Sequence, residues 1–135
     1  MQFNANLEGS QQVPPVDTSA TGQAVFQFNE RSRQISYRLN VKNLQRFLAA
    51  HIHLGRRGSN GPVVAPMFNG TPGISITQGQ VMGSISQSSL TGPLEGQTIE
   101  DLLEEMNAGN TYVNAHTEQH PDGEIRGQIS RTDRE

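Results

Sequence analysis

Cysteine is absent from this chain, and tryptophan with it. Without a thiol there is no disulfide, no thiolate metal site, no cysteine nucleophile and no blue-copper centre. The compartment stays open, because exported and cytosolic proteins both do without cysteine. Apolar residues make up only 33% of the chain and aromatics 5%, so the core must be modest and built from Val, Ile, Leu, Phe and Met. No apolar run approaches the length of about 18 residues that a spanning helix needs, so no membrane span is expected. A basic block is missing too. Ten Lys and Arg against thirteen Asp and Glu leave a net charge of −3, and nothing in their spacing tracks a phosphate backbone, which argues against nucleic acid as a partner. The start, Met1-Gln2-Phe3-Asn4, runs straight into strand-like sequence without a charged leader or an apolar stretch. Either the protein stays in the cytoplasm or a leader has been removed.

What is there in quantity is punctuation and alternation. The chain of 135 residues has the length of one domain, and its 14 glycines and 7 prolines suit a path that turns often. Ala24, Phe26 and Phe28 share one face of a period-two run; Ile35, Tyr37, Leu39 and Val41 share one face of the next. Similar runs recur at Phe3–Leu7, Ala49–Leu54, Val63–Phe68, Gln80–Ser86, Thr111–Thr117 and Glu124–Ile129. Turn signals fall at Val13-Pro14-Pro15, Asn29–Arg33, Gly58–Pro62, Thr71-Pro72-Gly73 and Pro121-Asp122-Gly123. One segment breaks the pattern. Ile99, Leu102, Leu103 and Met106 sit at helical spacing behind Thr98, an N-cap with Asp101 three residues on, which predicts a short helix near 99–107. Its acidic face, Glu100, Asp101, Glu104 and Glu105, reads as a solvated helix surface. About eight strands with one short helix predict an all-β, antiparallel sandwich or barrel over residues 1–130, followed by a polar tail at 131–135.

The four histidines carry the chemistry. His51 and His53 lie two apart in Ala50-His51-Ile52-His53-Leu54, so a strand sets both on one face with Cα atoms roughly 6.5–7 Å apart. They are either polar members of a solvated face or two ligands of one ion. His116 ends the alternating face Tyr112, Asn114, His116, and His120 follows in the next loop. If these two strand ends are neighbours, His51, His53 and His116 form a triad, with His120 either a fourth ligand or a solvent-exposed loop residue. Nitrogen donors without sulfur suit copper first, with zinc as the alternative. Around them, Asn114, Glu124 and Arg126 are candidates for a supporting layer, although Glu124 and Arg126 equally fit a same-face pair that steadies a strand. Glu118 and Glu124 are the nearest carboxylates in sequence for a general base, and spacing singles out neither. Arg56 and Arg57 follow His53 in a loop that either attracts an anion or is an ordinary solvated turn.

The stretches LEGSQQVPPVDTSATGQAVFQF, AAHIHLGRRGSNGPVV and GNTYVNAHTEQHPDGEIRGQI, in that order, resemble the CHRD (chordin-type) domain family over Phe3 to about Ile129. The resemblance implies an immunoglobulin-like β-sandwich distantly similar to Cu/Zn superoxide dismutase, and an exported location in the cell envelope or outside the cell. Dismutases carry an H-x-H pair on a strand as copper ligands, a place that His51 and His53 would take here. The likeness stops at that pair, since four histidines cannot also supply a bridging ligand and a second metal set.

Three functions are compatible with these features. The first is a metal-binding domain for storage, delivery or buffering. The second is a non-catalytic structural or interaction module whose partner is a protein or a second copy of the chain. A mononuclear redox enzyme comes last, because no acid or base is marked out.

Overall fold

Alternation becomes structure first in a long hairpin. In the computed structural model, which describes residues 1–133 with the side chains of 70–77 left out of account, β2 (Thr21–Asn29) and β3 (Gln34–Leu54) pair antiparallel. Their register sets Ala24 opposite Leu39, Phe26 opposite Tyr37 and Phe28 opposite Ile35. Asn29 makes the turn, its side-chain oxygen accepting from the backbone N–H of Arg31 and Ser32 at 3.0 and 3.3 Å. The faces meet as the period requires, with Ala24, Phe26, Ile35, Leu39 and Val41 buried.

The remaining strands are β1 (Gln2–Glu8), β4 (Val63–Ile85), β5 (Thr111–Thr117), β6 (Ile125–Gln128) and the short β7 (Ser130–Arg131). Every pairing is antiparallel. Hydrogen bonding runs in the order β2-β1-β6-β5-β3, and the β2–β3 hairpin closes that path on itself. The result is a five-stranded, barrel-like ring, with β4 flanking β3 and β7 flanking β1. The antiparallel all-β expectation holds and its barrel alternative describes this ring, while two separate facing sheets are not seen among the described residues.

The ring closes because β3 is long and bent. Its first half pairs with β2 through Gln34–Lys42, and its second half pairs with β5 through Phe47–Leu54. Between them, Asn43 and Arg46 take left-handed conformations at φ 57° and 55°, and the register with β4 shifts. Bends of this kind let one strand turn a corner between sheet surfaces. Glu118 holds the corner, its N–H donating to the Arg46 carbonyl at 3.1 Å and its carboxylate pairing with the Arg46 guanidinium. Leu44 and Phe47 turn inward here and are fully buried.

Among the described residues there are thus seven strands where about eight were expected. The runs at Ala49–Leu54 and Gln80–Ser86 are the second halves of β3 and β4, and β7 is the addition. The turn expected at Thr71-Pro72-Gly73 falls inside the span of β4 instead. Residues 131–133 stay against the fold. Ser130 and Arg131 pair with Asn4 and Phe3, and the Asp133 carboxylate accepts from the Gln2 N–H at 2.8 Å. Hydrogen bonds from Gln2 and then Arg131 hold that carboxyl down, to about 2.

The helix α1 (Ile99–Asn107) forms where its spacing predicts. Thr98 accepts from the Asp101 N–H at 3.2 Å while Asp101 accepts from the Thr98 N–H at 3.0 Å, a reciprocal cap that satisfies two orphan donors. Ile99, Leu102, Leu103 and Met106 bury one stripe, and Glu100, Asp101, Glu104 and Glu105 occupy the outer positions. No helix among the described residues is long and apolar enough to cross a membrane. Leu102→Ala should destabilise the fold by about 2–5 kcal/mol, and Thr98→Ala by about 1 kcal/mol. Urea melts would read both, and a Leu102→Ala midpoint equal to that of the wild type would show that α1 does not seal the core.

Candidate metal centre

Strand pairing brings the two histidine segments together. In the β3–β5 ladder, His51 lies opposite Asn114, His53 opposite Tyr112 and Ala49 opposite His116. Paired residues of an antiparallel ladder share a face, so His51, His53, Tyr112, Asn114 and His116 all stand on the outside of the ring. The intervening Ala50, Ile52, Val113 and Ala115 point into the core and are fully buried. On the next strand, Arg126 lies opposite Asn114 and Gln128 opposite Tyr112, extending the same face.

One ring nitrogen from each of His51, His53 and His116 lies within 4.8 Å of the other two. The ring centroids are 6.0 Å apart for His51 and His53, 5.0 Å for His51 and His116, and 5.8 Å for His53 and His116. Three nitrogens spaced evenly around one ion at about 2.0–2.1 Å lie no more than about 3.6 Å apart. The rings therefore need to draw in by up to about 1.2 Å to share one ion.

Two loops cover this face and set the rings' protonation. The chain after His53 folds back so that Leu54 N–H donates to the Pro62 carbonyl and His53 Nδ1 donates to the Gly61 carbonyl, both at 2.9 Å. The loop after β5 does the same for His116, whose Nδ1 donates to the Pro121 carbonyl at 2.9 Å. A carbonyl only accepts, so the proton of each neutral ring sits on Nδ1 and Nε2 keeps its lone pair. The Nε2 atoms of His53 and His116, with Nδ1 of His51, are buried and have no hydrogen-bond partner among the described residues.

Gly61 has to be glycine, because a Cβ there would lie 1.6 Å from the Leu54 carbonyl oxygen. At Gly123, with φ 122°, a Cβ would meet the Asn114 side chain at 2.2 Å.

Burial acts on all three rings in one direction. Desolvation, followed by the neighbouring His116 and His53, lowers His51 from 6.5 to about 4. Desolvation also lowers His53 and His116, against the opposing effect of their carbonyl hydrogen bonds. At neutral pH the three imidazoles are therefore uncharged, the form in which they ligate metals.

The other expected residues separate into supports and bystanders. Asn114 accepts from Gln12 Nε2 at 2.6 Å and donates to the Asp122 carbonyl at 3.1 Å, tying down the loop that carries Pro121. Arg126, 1% exposed, lays its guanidinium 3.5 Å from the centre of the Tyr112 ring, which itself stacks on His53 at 4.9 Å. Arg126 thus supports His53 through Tyr112. Glu124 does not pair with Arg126; its buried carboxylate accepts from Thr18 and Thr117 hydroxyls at 2.7 and 2.9 Å, pinning β5 to the 18–20 segment. Glu118 is engaged by Arg46.

His120 is not among the three converging histidines. Its backbone caps the loop instead, with its N–H donating to Thr117 Oγ1 and its carbonyl accepting from Thr117 and Gly123 N–H. Arg56 and Arg57 are exposed on the loop over His53.

Sequence reasoning did not single out Tyr112, Gly61 or Pro121. Tyr112 was legible as a member of the His116 face. The two carbonyls were not, since any residue can supply one.

Residues 3–129 match the family model for the CHRD domain. The chain belongs to the CHRD domain family. No curated protein matches it. In this CHRD domain the histidine triad, its covering loops and the Tyr112–Arg126 support all lie within the matched span.

The pH dependence of this metal-free CHRD domain follows from the lowered histidines. The unfolded chain takes up these protons near pH 6.5, before the folded state does, so stability is full above that pH. It is lost as pH falls toward about 4, where His51 itself titrates. Thermal melts across this window should show the loss, and a His51→Gln/His53→Gln/His116→Gln variant should show a flatter profile.

Proposed function

We propose that this chain is a metal-binding domain that holds one ion through His51, His53 and His116, copper in preference to zinc, for storage, delivery or buffering. A single observation carries the reading. Three buried imidazole nitrogens, one from each residue, lack any partner and belong to rings that already converge. Leaving a buried polar atom unpaired costs about 1–3 kcal/mol, and three together at one point are hard to explain as packing. An ion would satisfy all of them at once.

The donor set supports the choice of ion. Three neutral nitrogens without sulfur or carboxylate suit Cu(II), which binds such sites more tightly than Zn(II) in the general order of divalent metals. The fixed tautomers of His53 and His116 are the outer hydrogen bonds that metal-ligating histidines commonly make. The same reading takes the closed ring as a flattened form of the immunoglobulin-like, dismutase-like sandwich, with the bend in β3 as its corner. No carboxylate joins the three histidines among the described residues, which favours holding an ion over turning over a substrate.

Calorimetric titration of tag-free protein with Cu(II) and Zn(II) tests the proposal. Binding at one ion per chain is expected, with copper the tighter, and His51→Ala/His53→Ala should abolish it. His120→Ala should bind as the wild type does. Asn114→Ala, which frees the loop behind His116, should weaken binding by about 10–100-fold. Uptake of neither ion would return the chain to a structural or interaction role.

A further inference from the structure

We infer that the metal-loaded centre takes a small anion as an additional ligand, favoured by a positive local field in which Arg126 is the buried charge. This rests on the three-histidine reading above.

The ligand set itself is the first reason. His51, His53 and His116 are neutral donors, and no Asp or Glu joins them among the described residues. A divalent ion held there keeps its full double charge. Three-histidine sites leave a coordination position for water or another external ligand.

Arg126 is the second reason and is independent of the metal. A cation this deeply buried is ordinarily paired with a carboxylate, yet every contact it makes is neutral. Its Nη1 donates to Asn60 Oδ1 at 3.3 Å, and its Nη2 donates to the Arg56 carbonyl at 2.9 Å and to Gln128 Oε1 at 3.4 Å. The Tyr112 ring covers it. Arg56 and Arg57, exposed on the adjoining loop, add charge of the same sign.

The acids nearby do not balance it. Glu124 is engaged by two threonines, Glu118 by Arg46, and Glu8, opposite Arg126 in the β1–β6 pairing, by the Ser10 hydroxyl, while exposed Asp122, on the His116 side, acts on the triad. The partnerless nitrogens are sealed from solvent and His51 is only half-buried at their edge. A ligand reaching the ion must therefore be small: a monoanion of a few atoms.

Azide is a suitable probe, because its bond to Cu(II) gives a charge-transfer band in the near ultraviolet. The copper-loaded protein should develop that band in a saturable titration at one azide per copper, with a matching change in the copper electron paramagnetic resonance spectrum. At saturating copper, Arg126→Gln should weaken azide roughly five-fold or more, with copper affinity titrated separately because Arg126 also supports His53 through Tyr112. Where that variant does not fold, Arg57→Gln on the exposed loop replaces it, with weakening again expected.

A protein that binds copper one-to-one but gives no azide band overturns this inference alone. Unchanged azide affinity in the folded charge variant overturns it as well. A protein that binds no copper overturns both this inference and the three-histidine reading.

Discussion

The pairing of β3 with β5 is the constraint on which the rest of this molecule depends. It sets Ala50 against Ala115 and Ile52 against Val113 on the inner face, and by the same register His51 against Asn114 and His53 against Tyr112 on the outer one. A slip of one residue would expose the apolar set and drive both imidazoles into the core. Burial of four small apolar side chains therefore fixes where the histidines stand. The histidines are thus placed by packing on the opposite face of the sheet, which is why a face free of obvious folding value can hold an exacting arrangement.

That face works against stability in several places. Among the described residues, three ring nitrogens are buried without partners and a guanidinium is buried without a counter-charge. Local violations of this kind are what functional sites leave behind in a fold that is otherwise self-consistent. The compensations are visible. Tyr112 serves three neighbours at once, stacking on His53, carrying Arg126 on its ring and accepting the Gly61 N–H at 3.0 Å. Asn114 and Gln12 hold one loop, Asn60 and Gln128 the other, so the carbonyls that orient the rings are themselves restrained.

Local signals were legible where their physics is local. The helix at Ile99–Asn107 could be read because its cap, its first-turn acids and its apolar stripe all lie within nine residues. The strand runs could be read because burial on one face imposes a period of two. Their joining could not, since the bend at Asn43 and Arg46 that carries β3 onward is met by Glu118, over seventy residues away. Glu124 and Arg126 share a face and invite pairing on paper, but each is claimed by groups distant in sequence. His120 sits four residues from His116, and a loop, unlike a strand, imposes no direction on a side chain.

The order of amino acids alone sets the alternation that puts His51 and His53 on one face, and it gathers all four histidines into two short stretches. Folding of the whole chain chose three of those four, closed the sheet into a ring and selected Gly61 and Pro121 as the carbonyls that hold protons on Nδ1. The division has a physical cause. Periodicity is a property of neighbours along the chain, whereas convergence, burial and tautomer depend on groups that meet only after long loops have been closed.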